Sequence, residues 1–148
     1  MRPDKTPETT YVLDTSAILA FTEKEPGAQQ VREILRKGEG GQARVLLSFM
    51  TLMEAYYRIW QLKDREKAEE ILVLLEALPV ERIDVDDELI RLAGEIKALF
   101  RLSVADAWII ATAIQQEAQL VHKDPEFEQV KERVSLSPLP YKPTTREG

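Results

Sequence analysis

The sequence predicts an α/β domain of three layers: a central parallel sheet of about five strands with helices on both faces. Short apolar runs alternate along the chain with segments whose apolar residues recur every 3.6 positions, the order that builds strand–helix–strand units. The strand candidates, such as Tyr11-Val12-Leu13 and Val45-Leu46-Leu47, are short and apolar, as buried parallel strands are. At 148 residues the chain is about one domain long, and a domain of that size buries roughly 68–70% of its unfolded surface, enough for one sizeable core.

Tyr11-Val12-Leu13 reads as a buried strand ending at Asp14. A helix begins over residues 17–21, and Pro26-Gly27 breaks the chain before a second helix, whose stripe is Ala28, Val31, Ile34 and Leu35 and which stops at Gly38. Val45-Leu46-Leu47 is the next strand. Leu52, Ala55, Tyr56, Ile59 and Trp60 then follow a helical period, as do Ala68, Ile71, Leu72, Leu75 and Leu78, until Pro79. Residues 80–83 alternate as a third strand. Leu89, Leu92, Ala93, Ile96, Leu99 and Phe100 form one helical face, and residues 104–116 are apolar almost all round, which predicts a buried helix. Gln119-Leu120-Val121-His122 is a fourth strand and Val134-Ser135-Leu136 a fifth. The polar residues 1–10 and the proline-rich residues 138–148 read as flexible termini around one domain at residues 11–137.

Composition excludes several chemistries. There is no cysteine, so disulfides, thiolate nucleophiles and cysteine zinc sites are ruled out. The single histidine, His122, leaves no histidine pair. Twenty Lys and Arg face 26 Asp and Glu, a net charge of −6, which argues against a non-specific nucleic-acid coat but not against a local grip on one short stretch of polymer. Residues 1–10 lack the apolar centre of a signal peptide, and residues 104–114 are too short to span a bilayer. A cytoplasmic location without membrane contact is the expectation. No glycine-rich phosphate loop is present.

In parallel sheets, ligands bind beyond the carboxyl ends of the strands where strand order reverses. Four acids fall at such places: Asp14 after the first strand, Glu54 past the second, Asp106 at the start of the buried helix and Asp124 after the fourth strand. Each also has a structural explanation. Thr51-Leu52-Met53-Glu54 and Ser103-Val104-Ala105-Asp106 have capping-box spacing, Asp124-Pro125 reads as a helix cap followed by proline, and Asp14 suits a cap for the first helix. Taken together they are harder to dismiss, since three of only eight aspartates lie in these apolar settings. Asp106 is the most pointed case, because a carboxylate on an apolar helix is costly to bury unless something pairs with it. Four acids converging on one edge require a cation, and oxygen-only ligation selects Mg²⁺ or Mn²⁺. Such ions activate a water and stabilise the leaving oxygen of a phosphodiester.

The run Leu13-Asp14-Thr15-Ser16-Ala17, the helix start at Thr51 to Glu54, Leu102-Ser103-Val104-Ala105-Asp106-Ala107, and Lys123-Asp124-Pro125-Glu126-Phe127 together resemble the PIN-domain nuclease family, in particular its small VapC-type toxins. The resemblance covers residues 11–136. It implies Asp14, Glu54, Asp106 and Asp124 as metal-binding catalytic acids, with Thr15 or Ser16 supplying a hydroxyl and Glu126 able to share the part of Asp124. It implies Mg²⁺- or Mn²⁺-dependent cleavage of RNA to a 5′-phosphate and a 3′-hydroxyl, a cognate antitoxin covering the acidic site, and a homodimer formed through the helix around residues 86–100. The last motif departs from the family's pattern, which often has threonine or serine at the position of His122 and aspartate at that of Glu126. A lone histidine at a strand end is more often structural.

Arg58, Lys97, Arg101 and Lys123 lie near the acids in sequence, and Arg101 and Lys123 are the better-placed pair for substrate phosphates. Tyr56 and Trp60 fall on the core stripe, whereas Met53, Tyr57 and Leu62 lie off it and offer a docking surface. Specificity is expected in the loops at residues 23–26 and 36–44. The alternatives are an RNA-processing nuclease without an antitoxin, an inactive interaction domain whose acids are only caps, and a haloacid-dehalogenase-like phosphatase. The last wants a second aspartate where this chain has Ser16.

Overall fold

From its first strand the chain winds outward across the sheet, then crosses back to build the other side. The computed structural model describes residues 9–142. The strands are β1 (Thr9–Leu13), β2 (Ala43–Ser48), β3 (Glu81–Ile83), β4 (Gln119–His122) and β5 (Ser135–Pro138). They lie in the order β3-β2-β1-β4-β5, all parallel. Order reverses between β1 and β4, so their carboxyl ends flank the crevice where a ligand is accommodated in such sheets. The helices are α1 (Thr15–Thr22), α2 (Ala28–Glu39), α3 (Phe49–Leu62), α4 (Arg65–Ala77), α5 (Asp87–Leu99) and α6 (Val104–Gln115), with a short 3-10 helix at Pro125–Val130.

The strands are apolar on successive residues because both faces are covered. Leu13, Val45, Leu47 and Val121 point into a core shared with α1, α2, α3 and α4, while Val12, Leu46 and Leu120 point into a second core with Ile96 of α5, Ile109 and Ile110 of α6, and Phe127. The period-two alternation of a strand thus divides one apolar run between two helical layers. The predicted three-layer α/β architecture is the one observed. Helix α6 is buried on most sides, since Ala111 joins Leu89 and Ala93 of α5 in a third cluster. Among the described residues no helix is long and apolar enough to cross a membrane.

Several local expectations are corrected. Gly38 does not stop α2, which runs on to Glu39. A Cβ at Gly38 would lie 2.9 Å from the Val45 side chain and 3.2 Å from the Pro79 carbonyl, so glycine is there for close packing against the sheet. Helix α3 is capped by Ser48, whose hydroxyl accepts from the Met50 N–H, not by Thr51. The capping box expected at Thr51 and Glu54 does not form, and Glu54 lies more than a turn inside the helix. Trp60, placed on the core stripe by its period, is 45% exposed. It packs edge-on against Tyr56 at 5.7 Å and under the Arg65 guanidinium at 5.5 Å, contacts that cover only part of the ring. The flexible termini expected at residues 1–10 and 138–148 lie mostly outside the described residues. Of those described, Thr9 and Thr10 belong to β1, Pro138 to β5, and Leu139 is buried in the first core.

Candidate active site

Each of the four acids is carried to the carboxyl edge of the sheet by a different segment. Asp14 leaves β1 with its N–H donating to the Val121 carbonyl of β4 at 2.9 Å, which fixes it at the reversal point. It caps α1: Oδ2 accepts from the Ser16 N–H at 3.0 Å and from the Ser16 hydroxyl. That hydroxyl in turn accepts from the Lys123 N–H at 2.9 Å, so Ser16 links the two central strand exits. The other oxygen, Asp14 Oδ1, is buried and has no hydrogen-bond partner among the described residues.

Glu54 reaches the edge from inside α3, almost fully buried, and its Oε1 accepts from the Thr15 hydroxyl at 2.6 Å. Asp106 stands in the first turn of α6, where its N–H donates to Ser103 Oγ at 3.0 Å. Asp124 follows β4 and caps the 3-10 helix, Oδ1 accepting from the Glu126 N–H at 2.9 Å. All four line one cleft of about 390 Å³, together with Ser16, Arg58 and Lys123.

The electrostatics match this crowding. Burial pushes the Asp14 carboxyl from 3.8 up to about 6, opposed by the Ser16 hydrogen bonds and reinforced by the Glu54 charge. Burial likewise pushes Asp106 up to about 7, with the charges of Asp14, Glu54 and Asp124 adding to it. Ionised carboxylates so placed are stabilised by a cation, and a cavity lined by oxygen donors with one buried carboxylate oxygen left unpartnered fits a hard divalent ion. Among the described residues no three acidic or histidine side chains close into a ready-made ion cage. The arrangement is a shared acidic cleft.

The remaining predicted residues are distributed unevenly. Ser16 lines the cleft, while Thr15, 1% exposed, is turned to Glu54. Lys123 lines it too, but its side chain is withdrawn from the surface: Nζ donates to the Pro26 carbonyl at 2.9 Å and lies 3.4 Å from Glu25 Oε1. Arg101 and Glu126 are exposed and do not line the cleft. The Arg101 backbone is held by the Gln129 side chain. His122 is fully buried, stacked on Phe127 at 4.9 Å, and burial lowers its proton affinity. Its Nδ1 accepts from the Asp124 N–H at 3.1 Å, a bond that helps to orient the Asp124 backbone.

Glu23, Glu25 and Lys142 also line the cleft. The loop at residues 23–26 is expected from the sequence to carry specificity, but nothing in the sequence reveals that its acids line the same cleft as the other four. Glu23 pairs with Lys63 at 2.8 Å, a contact whose hydrogen bond holds the Glu23 carboxyl below its ordinary range.

The PIN-domain profile matches residues 11–133. Compared by sequence with curated proteins, the chain finds no match. Among solved structures it is similar to a chain of VapBC from Rickettsia felis bound to a promoter DNA fragment, at 20% identity and a TM-score of 0.73, covering 89% of this chain and all of that one. It is similar to DNA-bound VapBC from Salmonella typhimurium at 20% identity and a TM-score of 0.70, covering 88% and 98%. A sarcin-ricin-loop-cleaving VapC toxin from Mycobacterium tuberculosis aligns at 17% identity and a TM-score of 0.65, covering 81% and 94%. These likenesses extend to the fold, while the profile match spans β4, most of β1 and all four acids, and on that ground the chain belongs to the PIN-domain family.

Proposed function

We propose that the chain is a divalent-metal-dependent endoribonuclease, acting in the cytoplasm as the toxin of a toxin–antitoxin pair. The observation that carries this reading is the meeting of four carboxylates, from four separate segments, in one cleft at the reversal point of the sheet. Asp14 and Asp106 would hold Mg²⁺ or Mn²⁺, with Glu54 and Asp124 completing the oxygen set. When bound, such an ion supplies an acidified water and neutralises charge on the phosphate under attack.

The chain's own residues prepare the site. Ser16 occupies one oxygen of Asp14 and leaves the other for the ion. The Thr15 hydroxyl holds Glu54 in a fixed orientation, which spares the site a search among rotamers. The N-termini of α1 and α6 open at the same edge, where the helix dipole favours an anionic phosphate.

An antitoxin partner is supported by the VapBC complexes that share the fold and by the apolar side chains beside the cleft. Leu62 lines it and is 66% exposed, and Met53 and Tyr57 are exposed on the same helix. Pairing of two copies through α5, where Ile90 and Leu99 are exposed, belongs to the same reading. One observation favours the inactive reading: Asp14 and Asp124 do accept from the N–H groups of the helices they start. That reading accounts for Glu54 only as the acceptor of the Thr15 hydroxyl, since it caps no helix.

The test is cleavage of labelled structured RNA by protein freed of any partner, with Mg²⁺ or Mn²⁺, a chelator control and Asp14→Asn beside wild type. Metal-dependent cleavage that the substitution removes supports the nuclease. No cleavage, with no metal-induced rise in melting temperature, returns the acids to capping.

A further inference from the structure

The cleft is acidic and its proposed substrate is a polyanion, so a side-chain cation on its wall is well placed to meet phosphates beyond the one at the ion. Three lysine and arginine side chains line it: Arg58, Lys123 and Lys142. Two of them are engaged with the same acid. Lys123 lies 3.4 Å and Lys142 3.6 Å from the Glu25 carboxylate, and Lys123 is further held by the Pro26 carbonyl. Arg58 differs. Glu54, Arg58 and Leu62 all line the cleft from α3, four residues apart and therefore stacked along one face of the helix. Glu54 has its Oε1 taken by Thr15, and Glu23 is paired with Lys63. Among the described residues Arg58 makes neither an ion pair nor a side-chain hydrogen bond.

We infer that Arg58 is the phosphate anchor of the site, gripping a backbone phosphate of single-stranded RNA next to the bond presented to the four acids. The inference rests on the nuclease reading and adds to it the residue that seats the polymer. A guanidinium suits this position because its planar fork bonds two phosphate oxygens at once and keeps its charge at every working pH. Its placement one turn from Glu54 puts the grip beside the acids without adding a cation between them. A chain with a net charge of −6 has no excess of positive charge to attract RNA, so the contribution of one local contact is large and visible. Arg58 is a binding residue in this account and takes no part in moving protons.

The experiment measures wild type, Arg58→Gln, Arg58→Lys and Arg32→Gln with one labelled single-stranded oligoribonucleotide. Cleavage is followed at steady state in Mg²⁺, and equilibrium binding is followed by fluorescence anisotropy in chelator across a salt series. Arg32 is exposed on α2 and does not line the cleft, so its variant controls for the change of net charge. The expected result for Arg58→Gln is a rise of about tenfold in KM and Kd, a loss falling mainly on KM, and a salt slope shallower by roughly 0.7, the share of one phosphate contact on a single strand. Arg58→Lys recovers part of the affinity and the full slope, and Arg32→Gln behaves as wild type. Wild-type cleavage with KM and slope unchanged in Arg58→Gln overturns the anchor and leaves the nuclease standing. The same holds if kcat alone falls. A wild-type protein that neither binds nor cleaves the oligonucleotide overturns both.

Discussion

Two sets of carboxylates share the cleft, and the protein treats them differently. The outer pair, Glu23 and Glu25, is met by lysines: Lys63 on the first, Lys123 and Lys142 on the second. The inner four, Asp14, Glu54, Asp106 and Asp124, have no lysine or arginine within ion-pair distance among the described residues. The consequences run in opposite directions. The Lys63 hydrogen bond lowers the proton affinity of Glu23, whereas burial and like charge raise those of Asp14 and Asp106. An acid kept for structure is supplied with its counter-charge by the fold. On the proposed reading, an acid left without one in the cleft is held for an external cation.

Breaking the inner set has the largest effect. Asp14→Asn is expected to lower RNA cleavage by at least about a thousandfold, some 4 kcal/mol of barrier. The same variant, melted without metal, should be no less stable than wild type, because it relieves burial of a charge. A loss of several degrees would mean that Asp14 serves mainly as the α1 cap.

Breaking the outer set acts on stability. Lys123→Met keeps the apolar stem but removes the amine, leaving Glu25 with one exposed partner and the Pro26 carbonyl with none. The expected cost is about 1–3 kcal/mol by denaturant unfolding. An unchanged midpoint would remove Lys123 as the clasp between the β4 exit and the loop after α1.

The inner set also imposes a pH dependence. Asp14 and Asp106 hold protons in the folded protein up to about 6 and about 7, while the unfolded chain releases them near 3.8. Between these limits the folded state binds more protons, so their stabilising contribution is complete below about pH 4 and is lost as pH rises to about 7. In metal-free protein Asp106→Asn should flatten this fall and gain about 1–2 kcal/mol at pH 8, discounted from the full shift because Asp106 is only partly buried. Urea unfolding at several pH values reads both. The smallest effect is expected for Glu23→Gln, within about 1 kcal/mol, since its partner Lys63 is solvent-exposed.

What the sequence made legible was local. The strand exit at Asp14 is readable because a short apolar run is followed at once by a capping residue, and that at Asp124 because the acid directly precedes Pro125, a cap signal also carried by adjacent positions. The start of α3 was misread because Ser48 and Thr51 both suit a cap, and only the register of β2 against β3, which pairs Ser48 with Ile83, shows that the strand runs to Ser48 and the helix starts directly after it. Trp60 was misplaced because a helical period marks a face without revealing how far the neighbouring helix covers it. The engagement of Lys123 was invisible for another reason: its partners lie 97 and 98 residues away. Arg58 and Lys123 look alike as charges near an acid, and only the fold shows that one is spoken for and the other is not.

The most direct test of the distinction between the two sets is calorimetric titration of Mn²⁺ into metal-free protein at pH 7, in two buffers of different ionisation heat. Wild type is expected to bind with release of protons, chiefly because the ion displaces the proton that Asp106 still holds in part at pH 7. The account predicts loss of binding in Asp14→Asn and Asp106→Asn, and retention in Glu23→Gln. Wild-type protein without affinity for the ion, or affinity that survives both inner substitutions, would contradict it.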